Sequence, residues 1–155
     1  MSYSCGTTTT KDIVLSYYAA YMAGDLETVE RLVHPNCIID EPSFLPYGQV
    51  PVVGFRAMHR LIAETFAKVF REDFSLDDTR IFEDGSSVIA QSIWRMTPKF
   101  GGAAINCHYH ELFEVSNGQI ILMRPLYHAV AEMSAAFDAA RAAGVDLDLT
   151  AVPGV

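Results

Sequence analysis

Residues 105–127, INCHYHELFEVSNGQIILMRPLY, decide how this chain folds. Two runs of alternating polarity, Ile105 to Val115 and Gln119 to Tyr127, flank Ser116-Asn117-Gly118, the chemistry of a tight hairpin turn. Successive strand side chains point to opposite faces. One face of the first run therefore carries Ile105, Cys107, Tyr109, Glu111, Phe113 and Val115, and the other carries Asn106, His108, His110, Leu112 and Glu114. Glu111 is the one carboxylate on an apolar face. Desolvation there disfavours its charged form, so the group can stay protonated and donate a hydrogen bond near neutral pH. The alternative is a structural glutamate, on a bulged strand or paired with a nearby arginine such as Arg95 or Arg124.

Working outward, the same period of two recurs over Phe74 to Phe82 and Ser87 to Met96, punctuated by EDGS and PKFGG, which makes the second half a four-stranded meander. The first half is helical. Thr9 with Asp12 three residues on forms a capping box for a helix through Ala23, with Gly24 as its left-handed stop. Asp25 caps a second helix, Leu26 to Val33, which His34-Pro35 ends. Asn36 to Glu41 reads as a strand, the Pro- and Gly-rich stretch before Phe55 as a loop, and Phe55 to Phe70 as a third helix. An Ala-rich helix, Ala129 to Ala143, closes the series at Gly144. The expected architecture is α+β: a cone-like curved mixed or antiparallel sheet wrapped around three N-terminal and central helices, plus a C-terminal helix. A single domain over residues 1–155 is predicted, with 1–9 and 145–155 loosely held.

Half of the 155 residues are apolar and 19% are charged, enough for a real core. The net charge of −8, without a cluster of Lys and Arg, argues against nucleic acid and anionic membrane as partners. The opening MSYSCGTTTT is not a secretory leader and no run is long enough to span a bilayer, so a cytoplasmic location is expected. Cys5, Cys37 and Cys107 have neither disulfide-framework nor zinc spacing.

Further candidates follow from position. Cys37, Ile39 and Glu41 share a strand face opposite Ile38 and Asp40, and Pro42 fixes the backbone after Glu41; either Glu41 serves a cavity or one of the two acids caps the following loop. On the first helix Ile13, Tyr17, Ala20 and Tyr21 form one stripe, placing two phenols a turn apart on the inward face. Tyr109 shares the face of Glu111. His59 lies on the stripe of Phe55, Ile62 and Phe66, where a core imidazole is the default. His108 and His110 lie on the face opposite Glu111, suited to the surface or a subunit contact rather than a metal site. With Leu112 and, across the meander, Trp94, they suggest a homodimer surface.

The segment IVLSYYAAYMAGDLETVERLVHPNCIIDEP, residues 13–42, resembles the opening of bacterial ketosteroid isomerases and the wider nuclear transport factor 2-like superfamily. ELFEVSNGQIILMRPLY, residues 111–127, is similar to their last two strands, and LPYGQVPVVGFRAM, residues 45–58, to a stretch of SnoaL-like polyketide cyclases. The resemblance implies that Tyr17 is an oxyanion donor, that Glu41, a glutamate where the isomerases have aspartate, moves the proton, and that neutral Glu111 is the second donor. It implies proton abstraction beside the carbonyl of a small apolar cyclic compound, steroid- or polyketide-like, by an isomerase or cyclase needing no cofactor and no metal. The alternatives are a dehydratase using His128, which stands where related epoxide hydrolases keep an acid, or a non-catalytic ligand-binding or dimerisation module.

Overall fold

A computed structural model of the chain describes residues 8–148. The element order is α1 (Thr10–Met22), α2 (Leu26–Leu32), β1 (Val33–Ile39), β2 (Val52–Val53), α3 (Phe55–Val69), β3 (Ser75–Asp84), β4 (Ser87–Met96), β5 (Ile105–Ser116), β6 (Gln119–Tyr127) and α4 (Val130–Ala142). The six strands form one mixed sheet in the order β2-β1-β6-β5-β4-β3. β1 runs parallel to β6 and every other pairing is antiparallel. This is the α+β arrangement expected, with a curved, unclosed sheet and four helices.

Local chemistry sets the element ends. The Thr9 side chain accepts from the Asp12 amide at 3.1 Å while Asp12 accepts from the Thr9 amide at 3.0 Å, a reciprocal cap on α1. Asp25 caps α2 through the Thr28 amide. In the β5–β6 hairpin Asn117 and Gly118 adopt φ of 50° and 78°, the left-handed pair that a two-residue turn matching the sheet twist requires. Two boundaries differ from expectation. β1 starts at Val33 and stops at Ile39, since His34-Pro35 ends the helix but not the chain's extension. The stretch read as loop contains β2, whose Val52 and Val53 pair with Ile39 and Ile38; two residues carry no period.

β5 keeps the alternation read from sequence, with Ile105, Cys107, Tyr109, Glu111, Phe113 and Val115 buried. The same inner face carries Val88, Ala90, Ser92 and Met96 of β4. Trp94 belongs to this face too, stacked 4.4 Å from Tyr109, so it is not part of the outer surface proposed for a partner. Tyr17 of α1 and Leu61 of α3 pack into the concave side, while Phe137 of α4 meets Phe66 and Phe70 edge-on. Each such side chain taken fully from water contributes about 2–3 kcal/mol. Leu147, beyond α4, is also buried. Of the termini expected to be loosely held, 1–9 and 145–155, residues 1–7 with Cys5 and residues 149–155 lie outside the described residues. No helix among those described is long and apolar enough to cross a membrane.

Candidate active site

Glu111 stands at the middle of β5, flanked by Ala90 on β4 and Pro125 on β6. These small neighbours leave room for its side chain above the sheet. It is 6% exposed, and its Oε2 accepts a 2.7 Å hydrogen bond from the Tyr18 hydroxyl. The Tyr109 phenol, two residues back on the same face, donates to it as well. Neither arginine weighed as its partner reaches it: Arg95 pairs with Asp77 and Arg124 with Asp40.

Glu41 follows β1 by two residues. The Asp40 amide extends the ladder to the Met123 carbonyl, and the Asp40 carboxylate is drawn outward to Arg124 Nε at 2.9 Å. That outward pull turns Glu41 inward, where it too is 6% exposed. Asp40 is therefore no pocket residue but half of an exposed ion pair. Tyr127 donates to Glu41, while Glu41 Oε2 has no hydrogen-bond partner.

The two carboxyl groups line one chamber of about 50 Å³ together with Tyr17, Tyr18, Tyr21, Tyr109 and Tyr127. Tyr21, Ile62, Phe74 and Trp94 also form part of a larger apolar cleft of about 280 Å³ between α3 and the start of β3, so the chamber lies at its inner end. Glu41, Glu111 and Tyr17 are thus brought together, with Tyr21 and Tyr109. Tyr17 packs against Tyr18, Tyr21 and Phe113, but the helical phenol that bonds Glu111 is Tyr18, one residue on and 100° further round the helix. Tyr18 and Tyr127 were not singled out from sequence. The signals were there: Val14, Tyr18 and Tyr21 extend the inward stripe, and Met123, Pro125 and Tyr127 alternate.

Besides Asp40, two more predicted residues lie elsewhere. His59 lines the outer cleft, stacked on Phe55, rather than the chamber. His128 is exposed on the convex face, its Nε2 2.9 Å from His110 Nδ1, because Tyr127 already occupies the inward position at the end of β6. This removes His128 from any reaction in the chamber. His108 is exposed on that same face, as parity predicts. Cys37 and Cys107 are buried free thiols; burial pushes Cys37 up to about 12 and raises Cys107, so neither is a nucleophile at neutral pH.

Burial dominates the electrostatics. Desolvation raises Glu111 to about 7, opposed by the bonds from Tyr18 and Tyr109, which favour its charged form. Glu41 is pushed well above 4.5 by desolvation and then by the neighbouring Glu111, against one opposing bond from Tyr127. The resemblance leads one to expect an ionised Glu41; this environment favours its neutral form. With two carboxyls in one chamber, the first proton goes to the one with fewer donors, Glu41. Tyr17, Tyr18, Tyr109 and Tyr127 are all raised well above 10, first by burial, and remain donors.

A family model for the SnoaL-like domain matches residues 14–123, from the first helix to β6. The chain belongs to the SnoaL-like domain family. No curated protein is detectably similar to this SnoaL-like chain in sequence. Among solved structures it resembles a nuclear transport factor 2-like protein of Burkholderia thailandensis E264, with a TM-score of 0.72 at 18% identity over 84% of this chain and 98% of that one. A provisional polyketide cyclase of Pseudomonas putida KT2440 superposes with a TM-score of 0.67 at 17% identity, covering 83% and 98%. TerC, co-crystallized with polyporic acid, gives 0.66 at 16%, again covering 83% and 98%. At these identities the likeness establishes the fold.

Proposed function

We propose that this SnoaL-like protein abstracts a proton beside the carbonyl of an apolar cyclic compound, acting as an isomerase or cyclase without a cofactor. The observation that carries this reading is the pairing of two buried carboxyls whose surroundings differ. Glu111, held by two phenols with its pKa near 7, suits a general base at neutral pH. Glu41, kept neutral by burial and by Glu111, suits a donor to the oxygen on which enolate charge develops, with Tyr17 or Tyr127 as second donor. The residues are those the resemblance implies; the hydrogen bonds favour exchanging the roles of the two glutamates. The apolar cleft would take the body of the substrate and the chamber its reacting end. Two solved neighbours, the provisional polyketide cyclase and the protein crystallized with polyporic acid, are consistent with ring compounds of this kind.

The test is exchange of the α-protons of 2-tetralone in D2O, followed by proton NMR. Exchange faster than in buffer, and lost on replacing Glu111 by Gln, supports the reading. Binding seen in protein spectra without exchange would instead mark a holding site for apolar ligands, a use that the small inner volume also suits.

A further inference from the structure

The segment that follows Glu41 holds a second unpartnered polar atom. The Tyr47 hydroxyl is buried without a hydrogen-bond partner, in a residue only 7% exposed, and Glu41 Oε2 is buried without one as well. A buried polar atom left unpaired costs about 1–3 kcal/mol, so two in one neighbourhood call for a common partner.

The backbone brings them together. Leu45 is fully buried and its amide bonds the Pro42 carbonyl, the Gly48 amide bonds the Leu45 carbonyl, and Gln49 reaches back to the Ser43 carbonyl. Residues 42–49 thus fold back on themselves until Gly48 rests against Pro42: a β-carbon there would lie 1.9 Å from the Pro42 oxygen and 3.3 Å from that of Glu41. Only glycine permits that approach, and it sets Tyr47 beside the Glu41-Pro42 peptide. Tyr47 also lies within electrostatic reach of Glu41, Tyr21 and Tyr127. Glu41 lines the chamber and Tyr47 does not.

We propose that one internal water sits between Glu41 Oε2 and the Tyr47 hydroxyl, and that Tyr47 acts on Glu41 through it as a positioning residue. Water is the partner the site suits: it donates to an orphaned carboxyl oxygen, accepts from a phenol, and buried waters typically bind such otherwise unsatisfied groups. The phenol donates to the water and the water to Glu41, a chain that favours the ionised carboxylate and supports its orientation. The other groups acting on Glu41 are the acids Asp40 and Glu111 and the phenols Tyr17, Tyr21, Tyr109 and Tyr127. Of these, Tyr127 and Tyr21 also interact with Tyr47 itself. The inference does not depend on which glutamate is the base.

The experiment compares the full chain with Tyr47→Phe by high-resolution crystallography and by carboxyl-carbon NMR titration of Glu41. The expected result is a water within hydrogen-bond distance of both oxygens in the parent, its loss in the variant, and a Glu41 titration moved about one unit higher, roughly a tenfold change in proton affinity. The variant keeps the buried ring and removes only the hydroxyl with its water, so a folded spectrum like the parent's with a modest loss in unfolding midpoint separates positioning from folding. A direct Tyr47–Glu41 bond with no intervening oxygen, or an unmoved titration, overturns the proposal. Neither readout needs turnover, so failure of the tetralone exchange would bear on the proposed reaction alone.

Discussion

The Tyr18 hydroxyl lies 2.7 Å from Glu111 Oε2, tying the first helix to the centre of the sheet across 93 residues of chain. This bond favours the charged form of Glu111 against burial. In Tyr18→Phe the midpoint of Glu111, about 7 in the parent, should therefore rise by about one unit. Carboxyl-carbon NMR measures it directly, and an unmoved Glu111 would mean that the bond carries no charge-stabilising weight.

The two glutamates should respond unequally to amidation. Glu111→Gln removes the proposed base and should slow tetralone exchange by about 100-fold or more. Glu41→Gln keeps a neutral donor in place and should cost about tenfold. Rates in D2O decide the matter; a larger loss for Glu41→Gln would restore the roles that the ketosteroid isomerase resemblance implies.

Stability should fall as pH rises across the neutral range. Glu111 moves from 4.5 when free to about 7 when folded, so between those values the folded chain binds the extra proton and rising pH opposes folding. The shift corresponds to roughly 3 kcal/mol, levelling off above pH 7 as far as Glu111 is concerned. Glu41, also raised, extends the decline in the same direction. The exposed Asp12, Asp25 and Glu30, which are lowered, act in the opposite sense and only in acid. Urea unfolding at pH 5 and pH 7.5 should show the drop, and Glu111→Gln should flatten it; a parent curve rising over this window would contradict the burial of both groups.

Gly48→Ala should be the costliest alanine among the glycines. Its methyl would overlap the Pro42 carbonyl, backbone that cannot yield without moving Glu41. A loss of about 2–3 kcal/mol is expected, against about 1 kcal/mol for Gly24→Ala, where φ is +72° but the space is open. Denaturation midpoints compare the two, and equal losses would argue against a tight 42–48 loop.

The convex face of the sheet is proposed to bind a second copy of the chain. Leu126 and Ile89 are 54% and 45% exposed there, Leu126 opposite His110 of the His110–His128 pair and Ile89 opposite Leu112. Light scattering at micromolar concentration should give twice the chain mass, and Leu126→Asp should halve it. A monomeric parent would remove the proposal.

Much of this was legible in the sequence because periodicity is a local property. The alternation through residues 105–115 places Glu111 on the buried face, and burial alone then raises its pKa; the capping box at Thr9 and Asp12 and the turn at Asn117-Gly118 likewise depend on neighbours a few residues apart. Residues 33–41 conveyed the inward parity of Cys37, Ile39 and Glu41, although the strand stops before Glu41.

What the tertiary structure decided is which groups meet. That Tyr18 rather than Tyr17 reaches Glu111 depends on how α1 is rotated against the sheet, a rotation set by the packing of Ile13, Val14 and Tyr17. That Glu41 is the more proton-loving of the two acids depends on donors contributed by distant residues: Tyr18 and Tyr109 act directly on Glu111, and only Tyr127 acts directly on Glu41. His128 faces outward because Tyr127 points in, and Trp94 inward because β4 pairs with β5 in the register that stacks it on Tyr109. Local pattern determines which face a side chain takes. Hydrogen bonds and charge depend on distance in space, and those distances exist only once the helices have closed over the sheet.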